Sequence, residues 1–158
     1  MTSFNNFRYT ILVPTKEALD KAFAEDPNLW TWDRIAAETD ANKKKEKTLY
    51  LLNFLRYHFV DGILPMGNGI SYSGSYATAA RDKDNHFVYL NVSGSGDNLT
   101  FTSENTGEKA HVITTNEDDY NVFTRDYIVN NSDYMQATQI TASSHAVIHL
   151  VDHVVNYR

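Results

Sequence analysis

The amino-acid sequence changes character once, and that change limits the fold more than any other feature. Up to about Phe59 a single strand-like run is followed by helix-forming stretches. From Ile63 onward Tyr, Val, Ile and Thr dominate, punctuated by Gly, Asn, Asp and Ser. The order strand, helices, then many strands gives an α+β protein rather than an alternating α/β one. Tyr9-Thr10-Ile11-Leu12-Val13 is a β-branched and aromatic run stopped by Pro14, and reads as a strand. Thr15 stands at an N-cap position, and Lys16 to Phe23 follows with Ala18, Leu19, Ala22 and Phe23 on one helical stripe. Asp26-Pro27 interrupts, because proline disfavours helix at the residue before it. A short helix is expected over Thr31 to Glu38 and a long one over Ala41 to Arg56, where Leu51, Leu52, Leu55 and Phe59 recur at helical spacing. Lysines crowd the first half of that helix against its dipole, so packing must hold it. Strands are expected at His86–Val92, Leu99–Thr102, Ala110–Thr114, Tyr120–Phe123, Tyr127–Val129 and Ala146–Val155. Ser93-Gly94-Ser95-Gly96-Asp97-Asn98 reads as a hairpin loop and not a phosphate cradle, since no helix with a Lys-Ser/Thr follows.

No repeat or linker divides the chain, so residues 1–158 are expected to form one domain with its own core. The net charge of -6 and the pI of about 5.4 speak against a nucleic-acid partner. Lys43-Lys44-Lys45-Glu46-Lys47 is short, broken by a carboxylate, and reads as a solvated helix face. With no cysteine, disulfides, thiolate metal sites and cysteine nucleophiles are excluded. No apolar run approaches the roughly 20 residues of a membrane span, so direct membrane insertion is not expected. The opening Met1 to Asn6 lacks the basic start and apolar stretch of a signal peptide.

Candidates for chemistry are few. His145, His149 and His153 would stack on a helix as metal ligands do, but their neighbours are β-branched. On a strand, residues four apart stand about 13 Å from one another, too far for one ion. No metal and no cofactor are therefore expected. Asp118, Asp119 and Asp126 have no partner acid in a recognisable arrangement, and no Gly-x-Ser-x-Gly elbow, His-Glu-x-x-His helix or Walker loop occurs. No catalytic residue is assigned. Ten tyrosines and two tryptophans offer another route to function. Trp30, Trp32, Tyr72 and Tyr76 fall in segments that read as loops or short elements, which makes them candidates for stacking on sugar or anchoring a protein partner. Covering the core is the preferred reading of the same four.

Three segments together resemble the fasciclin domain family. Thr10-Ile11-Leu12-Val13-Pro14-Thr15-Lys16-Glu17-Ala18-Leu19 is similar to its first signature. Leu55-Arg56-Tyr57-His58-Phe59-Val60 resembles its tyrosine–histidine segment, and Ala146 to Val155, with His149 and Asp152 three apart, resembles its closing strand. The family's opening helices are absent before Thr10, Lys16 replaces an asparagine, and Ser144-His145 stands where an asparagine–glycine turn is usual. The resemblance implies helices packed on a twisted, mostly antiparallel β-sheet wedge. It also implies that Thr10, Pro14, Thr15, Tyr57, His58, His149 and Asp152 are structural, with His58 buried; a polar partner for it is expected from the first signature or the last strand, Thr15 and Asp152 being candidates. Integrin recognition is not carried over, because Gln139-Ile140 replaces the family's aspartate–isoleucine pair.

The expected role is that of a non-catalytic adhesion or interaction module, with a carbohydrate-binding module of a surface glycan-handling assembly as the alternative. The partner would be a protein or glycan at the cell surface. Association with a second copy, through a surface left by the missing opening segment, is a further expectation. The location would be extracellular or cell-surface, periplasmic or outer-membrane-anchored in a bacterium. The export signal would lie in a longer parent protein from which this domain is a piece.

Overall fold

A computed structural model describes residues 8–125 and 144–156. Strand β1 (Tyr9–Pro14) leads into three helices, α1 (Lys16–Glu25), α2 (Trp32–Ala37) and α3 (Ala41–Tyr57). Then come β2 (Phe59–Asp61), β3 (Gly67–Arg81), β4 (Phe87–Gly96), β5 (Asn98–Ser103) and β6 (Lys109–His111). A short 3-10 turn at Glu117–Asp119 precedes β7 (Val122–Arg125) and β8 (Ser144–Val151). The mixed α+β class read from the sequence is what the structure has.

Each helix starts on a side chain that satisfies an otherwise orphaned amide. Thr15 Oγ1 accepts the Ala18 N–H at 3.2 Å, Thr31 does the same for Arg34 at 3.4 Å, and Asp40 for Lys43 at 2.9 Å. Replacing Thr15 by alanine is expected to cost about 1 kcal/mol, read as a fall of a few degrees in melting temperature. An unchanged melt would mean that the bond from the Thr15 N–H to Val151 O already fixes this corner.

The strands form one eight-stranded sheet in the order β6-β5-β4-β3-β2-β1-β8-β7. Its neighbours are antiparallel except β1 and β8, which run parallel from Tyr9↔Ala146 to Pro14↔Val151. The sheet curls until it almost meets itself, with Val112 just past β6 bridging Val151 at the end of β8. One apolar cluster fills the inside of this curl, including Leu12, Tyr57, Val60, Leu90, Phe101 and Val151. A second, around Leu29, Trp30, Ile35, Leu51, Phe54 and Val154, joins the helices.

Several expectations need correction. Residues 67–81, left without a strand by the sequence reading, are the longest strand described. Ser93–Asn98 is not a wide loop, because pairing continues to Ser95↔Asn98. The turn is Gly96-Asp97, with Gly96 at φ 64, as a two-residue hairpin with glycine first requires. Gly94 cannot be replaced freely, since a Cβ there would stand 1.8 Å from Asn98 O. On α3 the buried stripe is Lys47, Leu51, Phe54 and Tyr57, while Leu52, Leu55 and Phe59 are exposed. The last strand stops at Val151 rather than Val155, because Asp152 turns the chain to bond His111. The strand expected at Ala110–Thr114 is Lys109–His111 plus the Val112 bridge, and that at Tyr120–Phe123 falls at Val122–Arg125. Tyr127–Val129, Asp126 and Gln139-Ile140 lie outside the described residues.

Candidate functional site

The three segments singled out in the sequence meet around the first strand. Thr10, fully buried on β1, donates from Oγ1 to Gly62 O at 2.8 Å and accepts the Leu64 N–H at 2.9 Å. Two residues on, the Leu12 N–H donates to His58 O at 2.9 Å. Pro14 closes the strand, where its missing N–H is tolerated, and the Thr15 N–H takes over with a 3.0 Å bond to Val151 O. Tyr57 is completely buried, its hydroxyl donating toward Tyr89 O at 3.0 Å and lying 3.1 Å from Ser103 Oγ. Burial pushes that phenol's pKa up.

His58 is the centre of this knot. Its Nε2 accepts the Val155 N–H at 3.2 Å, so Nδ1 carries the proton and donates to Phe54 O at 2.9 Å. The Val155 partner comes from the closing segment, as expected, but neither of the candidates Thr15 and Asp152 supplies it. Thr15 caps α1, and Asp152 is exposed with Oδ1 on the His111 N–H at 2.8 Å. Desolvation holds the His58 pKa down to about 4, against the opposing bond to Phe54 O. His149 on β8 has the reverse tautomer. Its Nδ1 accepts the Asn121 N–H at 3.2 Å and Nε2 donates to Leu64 O at 2.9 Å, with burial again lowering its pKa. Asn121, at φ 53, also clamps both backbone groups of Met66 with its amide. Both imidazoles thus have both nitrogens engaged by backbone, which leaves neither free to take a proton from a substrate.

His149 is buried in the sheet while His153 is exposed beyond its end, so the two do not share a site. The His145 side chain lies outside the description. Among the described residues no group of three or more His, Cys, Asp or Glu stands close enough to hold a metal ion.

The four candidate aromatics separate. Trp30 is buried in the helix cluster, its Nε1 donating to Pro27 O at 3.0 Å and the Arg34 guanidinium 3.9 Å over its ring. Tyr72 and Tyr76 point inward from β3 and pack on the sheet cluster, with the Tyr72 hydroxyl on Pro65 O at 2.7 Å. Trp32 alone of the four faces water, 63% exposed. The sequence reading missed two other open rings, Phe87 and Tyr89 on β4; their alternation with buried Val88 and Leu90 was the available signal.

Two further surfaces stand out. A groove of about 520 Å³ lies between α3 and the end of β3, floored by Leu49, Tyr50 and Phe54 and rimmed by charges of both signs, among them Glu46, Arg56 and Lys83. Beside the first strand, register sets Phe59, Ile11, Ile148 and Val122 in one outward row across four strands. No protein-family model, curated protein or solved structure matches the chain.

Proposed function

We propose that this chain is a fasciclin-like, non-catalytic interaction module that acts outside the cell or on its surface by fitting its surface to a protein or glycan partner. One observation carries the reading: three hydrogen bonds, two of them between backbone groups and one from a backbone N–H to the His58 ring, tie the three signature segments to one another. Leu12 to His58, Thr15 to Val151 and Val155 to His58 join the first strand, the end of α3 and the closing segment in one place. A residue held in that way positions elements and is not poised to attack a substrate.

An antibody against the domain is expected to label intact cells of its source, or the surrounding medium. Labelling that requires permeabilised cells would overturn the extracellular assignment. Pure protein is expected to turn over no chromogenic ester, phosphoester or glycoside. A turnover that a single substitution abolishes would overturn the non-catalytic one.

A further inference from the structure

The outward face of β3, β4, β5 and β6 is uncharged over its middle. Registration sets Ser73, Ser93 and Thr100 in one row across three strands, and Ser75, Asn91 and Thr102 in the next. These alternate along their strands with buried Val92, Leu99 and Phe101, so they stand on the solvent side. Ser71 and Ser95 extend the same pattern by one more row. Charges appear only at the rim. Lys109 and His111 lie on the β6 edge, where His111 Nδ1 is 2.8 Å from Thr100 Oγ1, and Glu104 accepts from Ser75 Oγ. Among the described residues, Ser73, Asn91, Ser93 and Thr102 have no side-chain hydrogen-bond partner, so their hydroxyl and amide groups are open to a ligand.

One end of this face is aromatic. Tyr89, opposite Ala77, is 42% exposed and Phe87 is 47% exposed. Arg81 covers one side of the Phe87 ring at 3.3 Å, which holds that ring still. A depression of about 150 Å³ opens there between Phe87, Tyr89 and Asn105, with the Asp82 and Glu104 carboxylates at its rim.

We infer that this face binds a neutral polysaccharide chain, with one sugar ring lying on Tyr89 and its neighbours hydrogen-bonded across the Ser/Thr/Asn rows. Charge selects the ligand class. A polyanion would meet no cation over the central rows, in a protein whose net charge is -6, and a polycation would find there only Glu104, already bonded to Ser75. An apolar partner would bury hydroxyls without bonds, which is costly. A neutral polyhydroxyl chain both donates and accepts, and offers an apolar C–H face to an aromatic ring. The inference does not depend on the fasciclin-like reading, and it concerns a surface remote in register from the His58 knot. Binding here by a protein that labels only permeabilised cells would leave it standing while the extracellular assignment fell.

The test is electrophoresis through gels containing soluble neutral polysaccharides (a β-1,4-glucan, a β-1,3-glucan, a xylan and an α-mannan), with alginate as the anionic control. At least one neutral gel is expected to retard the protein and alginate is not. Tyr89→Ala and Ser93→Glu are each expected to weaken that retardation about tenfold or more. Both side chains point outward, and each variant is compared only after its melting temperature is shown to match the parent's. Trp32→Ala is expected to bind like the parent. Absence of retardation in every neutral gel overturns the inference. So does retardation that survives both face substitutions, or that Trp32→Ala removes instead.

Discussion

Replacing His58 by alanine is expected to lower the melting temperature by about 10 °C. The substitution opens a cavity between α3 and the sheet and leaves two buried backbone groups, Phe54 O and the Val155 N–H, without partners. Cavity and unsatisfied polar groups together cost about 3 kcal/mol. For a domain of this size each kcal/mol is worth roughly 2–4 °C. His58→Phe separates the contributions, because it refills the volume and restores neither bond, so its loss should be intermediate. Differential scanning calorimetry at pH 7 reads both. An alanine variant that melts with the parent would remove His58 from the centre of the fold and, with it, the role assigned to the signature.

Acid is expected to destabilise the protein well before its carboxylates titrate. His58 is neutral when folded, with a pKa near 4, whereas an exposed histidine titrates at about 6.5. The unfolded chain therefore binds more protons in this window, so stability is full above about pH 6.5 and falls as pH drops toward 4. At pH 5 the expected loss from His58 alone is about 2 kcal/mol. His149, shifted the same way by burial, adds to it. The urea midpoint measured between pH 7.5 and 5 should fall steadily, and less steeply in the His58→Phe variant. A flat profile, or one equally steep in that variant, would mean that His58 is already charged in the fold, and the bond it accepts from Val155 would have to be given up.

Much of the helical half was legible in the sequence. Thr15 announces the first helix start, apolar spacing places the other two helices, and Asp26-Pro27 marks the break, because capping and proline effects act within a few residues. The sheet was less so. Strand β3 is assembled from Gly67, Gly69 and Gly74 with many Ser and Ala, residues that disfavour strands in isolation. It forms because β4 pairs along it and α3 holds its far end, where the Asn53 amide bonds both backbone groups of Arg81. The alternation of Ile70, Tyr72, Tyr76 and Thr78 was present but weak. Trp30 falls in a segment that reads as a loop or short element, and core cover, the preferred reading, is what the bend at Pro27 gives it by folding it onto the helices. The closing segment does supply the partner of His58, but through the Val155 amide and not Asp152; side-chain chemistry gives no sign of which amide a fold leaves unpaired. On α3, choosing Leu52 and Leu55 over Phe54 and Tyr57 rotated the buried face, since leucines occur on both sides.

The parallel ladder between β1 and β8 has a consequence for biosynthesis. It joins residue 9 to residue 146, and β1 lies between β2 and β8 in the sheet. A ribosome must therefore deliver the chain as far as Ala146 before the first strand can gain its second neighbour, and contacts so distant along the chain make for slow folding. Until then one edge of β1 stays bare and able to pair with the wrong strand. Completion of this fold is thus a late, all-or-none event, and a nascent chain stalled short of Ala146 is an aggregation hazard for the cell that makes it.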